Sequence, residues 1–289
     1  MASLTEELSQ LRKQILRIRG GIESNPDASI VIPVNAQGDL ENVLRLVGDI
    51  TRYTGPYSLE LILVINNFPP NEPPVEIDTY AGLGLRIVSI ANTRKPGEAP
   101  GFTARIPGAE AALSENTIFF DADCRIPNPT VLLDWYIQQF KMGTQAAYTP
   151  VEYYDLRDRF SIRLRIWVHH FARWIKRAIL RIPTIRGSNY AINRSLILRL
   201  YTLGILADDM NVGPCAQSTG AKVVYNGSRE MRVFTSGRMF SGGWFKLFKY
   251  LFYRLRYNLR VIPVRTNAAS YTNREKDPLR RYVNNRPVK

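Results

Sequence analysis

Two aspartates one residue apart, Asp121 and Asp123, stand directly behind the apolar run Ile118-Phe119-Phe120, with prolines following at Pro127 and Pro129. The run is short and bounded, the pattern of a buried strand. Its C-terminal end is where open α/β sheets bind ligands. Carboxylates this close repel each other and tolerate burial poorly without a cation between them. A hard divalent ion, Mg²⁺ or Mn²⁺, would satisfy them and could also hold the phosphates of a nucleotide. A strand ending in a solvated acidic turn reads the same way on these residues alone. A second pair, His169-His170, is a poorer metal site. Adjacent helical residues point about 100° apart and cannot both face one ion, so interfacial or structural histidines are the better reading.

The surrounding patterns are those that could hold such a pair in place. ASIVIPV (residues 28–34), LELILVI (59–65) and residues 85–90 read as buried strands ahead of the one that carries Asp121. Leu40 to Tyr53 reads as a helix with Val43, Leu44, Val47 and Ile50 on one face, and Phe102 to Ser114 as another despite Pro107. Strands alternating with helices predict an α/β fold with a mainly parallel sheet and right-handed crossovers. Residues 3–22 predict an amphipathic helix, with a Ser3-x-x-Glu6 capping box and Leu4, Leu8, Leu11, Ile15, Ile18 and Ile22 on one seam. That seam suits docking on its own domain or a short coiled coil. Residues 187–200 and 204–217 read as helical or loop pieces, and Lys222 to Tyr225 as a short strand.

Composition narrows the classes. The 289 residues, 45% hydrophobic, suffice for one large domain or two small ones. No uncharged apolar run reaches membrane-spanning length, and Arg12, Lys13, Arg17 and Arg19 interrupt any signal-peptide pattern. Two cysteines, Cys124 and Cys215, form no disulfide framework or zinc cluster, which predicts a reducing, cytoplasmic setting. The net charge of +14 is uneven. Residues 1–150 hold 12 Lys+Arg against 17 Asp+Glu, a balance of −5, and residues 151–289 hold 27 against 8, a balance of +19. The second half is therefore expected to face something anionic.

Four segments together resemble glycosyltransferase family 2, with its nucleotide-sugar-binding GT-A fold: SIVIPV, LILVINN, FTARIPGAEAALSENTIFFDADC and RGSNYAINRSLILRLYTLGILADDMNVG. The resemblance runs from about Ser29 to Arg238. It implies transfer of a sugar from a nucleoside diphosphate sugar to a hydroxyl acceptor with inversion, aided by Mg²⁺ or Mn²⁺. It places Asp121 on the ribose and metal and Asp123 on the metal, with Ala122 between them. Arg105 falls on a basic position of the family and is a phosphate or sugar contact by that resemblance. Asp209 is the base that takes the acceptor's proton, supported by Asp208; the same pair could instead cap a helix starting near Met210. Gly187, Ser188 and Asn189 form the acceptor-side turn, and Arg238 contacts the diphosphate. Base and ribose contacts fall on Pro33, Val34, Asn35 and Gln37 after the first strand and on Asn66 and Asn67 after the second. Here the chain departs from the family, which carries acidic residues where this sequence has Asn66-Asn67 and Asn35-Ala36-Gln37.

The resemblance divides the chain into a helix over 1–24, a GT-A domain over 25–238 (nucleotide-sugar half 25–127, acceptor half 128–238) and a C-terminal amphipathic helix with a basic tail over 239–289. Residues 159–182 and 244–261 combine aromatic with basic residues, a composition for a helix in a membrane interface or for one packed on the domain. The first has Leu164, Trp167, Val168, Phe171, Trp174, Ile175, Ala178, Ile179 and Ile182 on one face. Peripheral attachment to the cytoplasmic membrane face, with a lipid-linked or membrane-proximal acceptor, is the corresponding expectation. A nucleotidyltransferase is disfavoured because Asn35-Ala36-Gln37-Gly38 is no phosphate-gripping loop. Nucleic-acid binding is disfavoured because the cations sit on aromatic helices and not in a recognised module. A non-catalytic scaffold is disfavoured because Asp121, Asp123 and Asp209 are all present.

Overall fold

The computed structural model describes residues 4–20, 25–91, 100–157, 159–203, 206, 209–237, 245, 248, 249 and 252. Four parallel strands form one half of the main sheet: β1 (Ala28–Asn35), β2 (Leu59–Asn66), β3 (Arg86–Ile90) and β4 (Asn116–Phe120). β1 and β2 are buried along almost their whole length, which is why they read as continuous apolar runs with no alternation. The seven-stranded order is β3-β2-β1-β4-β7-β5-β8, where β5 is Ala146–Tyr148, β7 is Asn189–Asn193 and β8 is Val223–Tyr225. β7 runs antiparallel to β4 and β5. A separate two-stranded sheet pairs β6 (Val151–Tyr153) with β9 (Val233–Thr235).

From β1 the chain proceeds outward to β2 and β3, then returns to lay β4 on β1's other side. The crevice between the carboxyl ends of β1 and β4 is thus the topological switch point, where ligands bind in open sheets. β1 and β4 last pair at Val31–Phe119. Pro33 lies beyond that pair, so its missing N–H withdraws nothing from the β4 ladder.

Helices cover both faces. α1 (Leu4–Arg19), α2 (Leu40–Thr51), α3 (Glu76–Gly82) and α5 (Pro129–Lys141) pack on one. α4 (Pro100–Ala111), α7 (Arg194–Thr202) and α8 (Asp209–Ser218) pack on the other. α1 docks on its own domain: Ile15 and Ile18 are buried, and Arg17 donates to the carbonyls of Thr51 and Tyr53 at 2.6 and 3.0 Å. Ser3 and Ile22, the ends of the expected helix, lie outside the described residues.

One expectation is corrected. Residues 187–200 are not simply helix or loop: Asn189–Asn193 is a strand, and the helix begins only at Arg194. Five residues bounded by the apolar run of α7 carry too little alternation to separate from it. The long helix α6 (Phe160–Ala178) turns Ile162, Arg165 and His169 inward and leaves its aromatic stripe exposed, so of the two sequence readings the stripe packed on the domain is the one not found.

Candidate active site

Asp121 follows the last residue of β4, and Asp123 lies two residues on in a braced loop. Cys124 N donates to the Asp121 carbonyl at 2.9 Å, Arg125 exchanges backbone bonds with Phe234 of β9, and Ile126 N donates to Asp49 of α2. Asp123 Oδ1 accepts from Thr235 Oγ1 at 2.9 Å. The carboxylates therefore stand on a loop tied to α2 and β9, the support a binding constellation needs. Ala122 is buried in the core and presents no side chain to a ligand.

Arg105 joins the two ends of the site. Its side chain is 1% exposed, and its guanidinium contacts Asp121 Oδ1 through Nη2 and Asp209 Oδ2 through Nη1 at 2.9 Å. The close seat of α4 explains its position. A Cβ on Gly108 would strike Val31 and Val64, so only glycine lets the helix approach the sheet this nearly. Arg105 is three residues earlier and hence on the same helix face. Burial alone would favour loss of its proton, but Asp209 and then Asp121 outweigh that, leaving its pKa above the usual guanidinium value. It is an internal clamp between two carboxylates. Asp121 is raised above the usual carboxylate range: burial is the largest cause, Arg105 opposes it, and Asp123 adds to it.

Asp209 is the first residue of α8. Gly187 lies against the clamp, where a Cβ would collide with Asp209 Oδ2 and sit 2.7 Å from Arg105 Nη2. The Ser188 carbonyl accepts from the Cys124 thiol at 3.2 Å, which ties the acceptor-side turn to the aspartate loop. Asn189 turns inward. It is 1% exposed, accepting from Tyr136 Oη at 2.7 Å and donating to Thr149. These bonds fix the turn.

Across the crevice, Asn35 Oδ1 accepts from Asn67 Nδ2 at 2.8 Å and from the Gln37 backbone N–H at 3.1 Å. Asn35 and Asn66 are register partners at the ends of β1 and β2, and Asn67 turns away with φ 65°, a conformation asparagine tolerates. Pro33 and Val34 are buried, so only their backbone borders the crevice. Asp208 and Arg238 lie outside the described residues.

The residue passed over in the sequence is Arg186, inside the quoted RGSNY. Its charge reaches Asp121, its Nη2 lies 3.1 Å from His169 Nε2, and it sits 5.3 Å over the Tyr153 ring. The His169 and His170 rings lie edge to face, with centroids 5.9 Å apart and planes at 78°. His169 is 3% exposed and structural. His170 is pushed down to about 4, by desolvation first and then by Arg173, Arg186, Arg177 and Arg232. A folded-state pKa below the ordinary 6.5 means that stability is lost as pH falls from 6.5 toward 4. The chain has 2 histidines, so an NMR titration reads both. The His170 midpoint is expected well below 6.5, with His170→Gln assigning it; a midpoint at or above 6.5 contradicts the placement of those arginines.

Among the described residues no three His, Cys, Asp or Glu side chains converge on one point. Mg²⁺ needs no such cage, because one or two carboxylates with substrate phosphates suffice. Asp121 and Asp123 are hard oxygen donors of that kind, and Asp121 is 39% exposed toward the crevice. The pair fits a divalent ion brought with a diphosphate.

No protein-family model matches the chain, and no curated protein matches it significantly. Solved structures do. The mannosyltransferase PcManGT from Pyrobaculum calidifontis, in complex with GDP-Man and Mn²⁺, is 15% identical with a TM-score of 0.51, covering 97% of this chain and 87% of its own. S. aureus TarS 1–349 is 14% identical with a TM-score of 0.50, covering 82% of this chain and 64% of its own. The fold is the GT-A type.

Proposed function

We propose that this chain is a divalent-metal-dependent, inverting glycosyltransferase of family 2, moving a hexosyl group from a nucleoside diphosphate sugar to a hydroxyl acceptor. The observation that carries this reading is the convergence of Asp121 and Asp209 on one buried guanidinium, that of Arg105. Residues far apart in sequence thereby bring a metal-side carboxylate and a base-side carboxylate to one crevice. The ligands of the mannosyltransferase neighbour, GDP-Man and Mn²⁺, are consistent with it.

In this reading Asp121 and Asp123 hold the divalent ion, which when bound would neutralise charge on the departing diphosphate. Asn35, Gln37, Asn66 and Asn67 border the donor's base and ribose, and their amides can hydrogen-bond a base edge without charge. Asp209 accepts the proton of the attacking hydroxyl. Gly187 lets the acceptor-side turn close on the Arg105–Asp209 clamp, with Ser188 in the same turn. Asp208 and Arg238 keep their proposed roles as support for Asp209 and as a diphosphate contact. The acceptor is proposed to be membrane-proximal.

The test is thermal unfolding against nucleoside diphosphates and their sugars, with and without Mn²⁺ or Mg²⁺. A ligand at about 100 times its Kd stabilises the folded state by about 2.7 kcal/mol. A rise with nucleotide and metal together is expected for the wild type and is expected to vanish in Asp123→Ala. No rise with any nucleotide, or a rise that survives Asp123→Ala, counts against the metal-bound donor site.

A further inference from the structure

α6 is built inside out. Its buried residues include Arg165 and His169, while Trp167, Phe171 and Trp174 are 59%, 45% and 48% exposed. A helix on a water-facing protein surface has the reverse arrangement. The polar side is fastened down: Arg173 donates to the Thr184 carbonyl at 2.6 Å, and His169 meets Arg186. The aromatic side is ordered with no covering element among the described residues. Trp167 and Phe171 stack with centroids 5.2 Å apart and planes 5° apart, and Phe171 and Trp174 follow at 5.9 Å and 15°. Phe160 and Ile179 extend the stripe, 80% and 61% exposed. A contiguous exposed apolar patch of this kind marks an interaction site.

Charge selects the occupant. From residue 159 to residue 207 the sequence holds no Asp or Glu, and while Arg165, Arg173 and Arg186 are turned into the domain, Arg159, Arg163 and Arg181 on α6 and its flanks are exposed. A second copy of this face would oppose cations to cations. A nucleic acid would need open ring faces for its bases, and these rings are already stacked on one another. An anionic bilayer meets both needs: its headgroups take the exposed Arg159, Arg163 and Arg181, and its acyl boundary takes the rings. Among the described residues no helix is long and apolar enough to cross a membrane, so the contact is one of lying on the surface.

We infer that the Trp167–Phe171–Trp174 face of α6 is an anionic-lipid-binding surface that seats the protein on a membrane. This deepens the proposed activity, on which it rests, by naming where the acceptor is met. α6 is fastened to the segment Thr184–Arg186, which runs directly into Gly187, so the docked face and the acceptor side move as one unit. The binding itself needs neither donor nor metal, so its failure and the failure of the transferase reading are separable.

The test is sedimentation of the full chain with phosphatidylcholine vesicles, with and without phosphatidylglycerol, in the absence of nucleotide and metal. Pelleting is expected with the anionic vesicles and not with the neutral ones. Combined Trp167→Ser, Phe171→Ser and Trp174→Ser is expected to lower the partition coefficient by roughly tenfold or more. Because the rings are exposed, the variant's melting temperature should stay near that of the wild type. Unchanged pelleting of the triple variant overturns the assignment, as does absence of pelleting in the wild type. Loss in the same variant of a concentration-dependent dimer in light scattering, or of single-stranded RNA binding, in place of vesicle binding overturns it equally.

Discussion

Asp209→Asn is expected to lower kcat for glycosyl transfer by about 10²–10⁴-fold, the usual contribution of a positioned general base, equivalent to about 3–5 kcal/mol of transition-state stabilisation. Asparagine keeps the shape of the side chain and its place in the first turn of α8, but it cannot take the hydroxyl's proton. The substitution also separates the base role from helix capping, while it costs the ion pair with Arg105 in either case. Asparagine caps helices about as well as aspartate, so a residue that only capped α8 would leave kcat near the wild-type value. The donor-and-metal thermal shift should survive, because Asp121 and Asp123 still hold that side of the crevice. A kcat within about tenfold of wild type, with that shift intact, removes Asp209 from the chemistry.

The sequence carried the donor half of this site further than the acceptor half, for physical reasons. β1, β2 and β4 are buried on both faces, so their apolar runs announce strands and their ends locate Asn35, Asn66 and Asp121. Strand β7 is short and merges into the apolar pattern of α7, so the antiparallel strand that follows the Gly187 turn stayed hidden. β9 is shorter still, and the bond from Thr235 to Asp123 joins residues that no local pattern connects. Arg105 was found in the sequence, but its carboxylate partners were not. A basic residue in a helix reads as ligand-facing until the packing of Gly108 on Val31 and Val64 shows how deeply α4 is set. For α6 the sequence left two readings open. Its apolar stripe is real, but the domain buries the face carrying Arg165 and His169. That side is held because His169 and Arg173 reach the Thr184–Arg186 segment while the rings do not.

Arg105→Met is expected to destabilise the protein by about 3 kcal/mol, the lower end of the cost of removing one partner from a buried ion pair. The lower end applies because Asp121 and Asp209 are 39% and 20% exposed, so water can solvate part of the charge left behind. Methionine fills much of the arginine volume, and the loss then reports the two carboxylates deprived of their guanidinium and not a cavity. Urea denaturation reads it directly as a fall in midpoint at constant slope. Arg105→Lys separates positioning from stability. Lysine restores a positive charge but offers one compact ammonium where the guanidinium offers a fork, so it can meet Asp121 or Asp209 well but not hold both in register. Its stability should lie between that of the wild type and the Met variant. Its kcat should still fall by roughly tenfold or more, because small misplacements of reacting groups are costly, while the donor-and-metal thermal shift is largely kept. A purely structural clamp predicts instead that kcat recovers in step with stability. Full activity in a stably folded Arg105→Lys protein would therefore reduce Arg105 to a packing element, whereas low activity in that same folded protein makes the guanidinium the group that sets the distance between the metal side and the base side of the site.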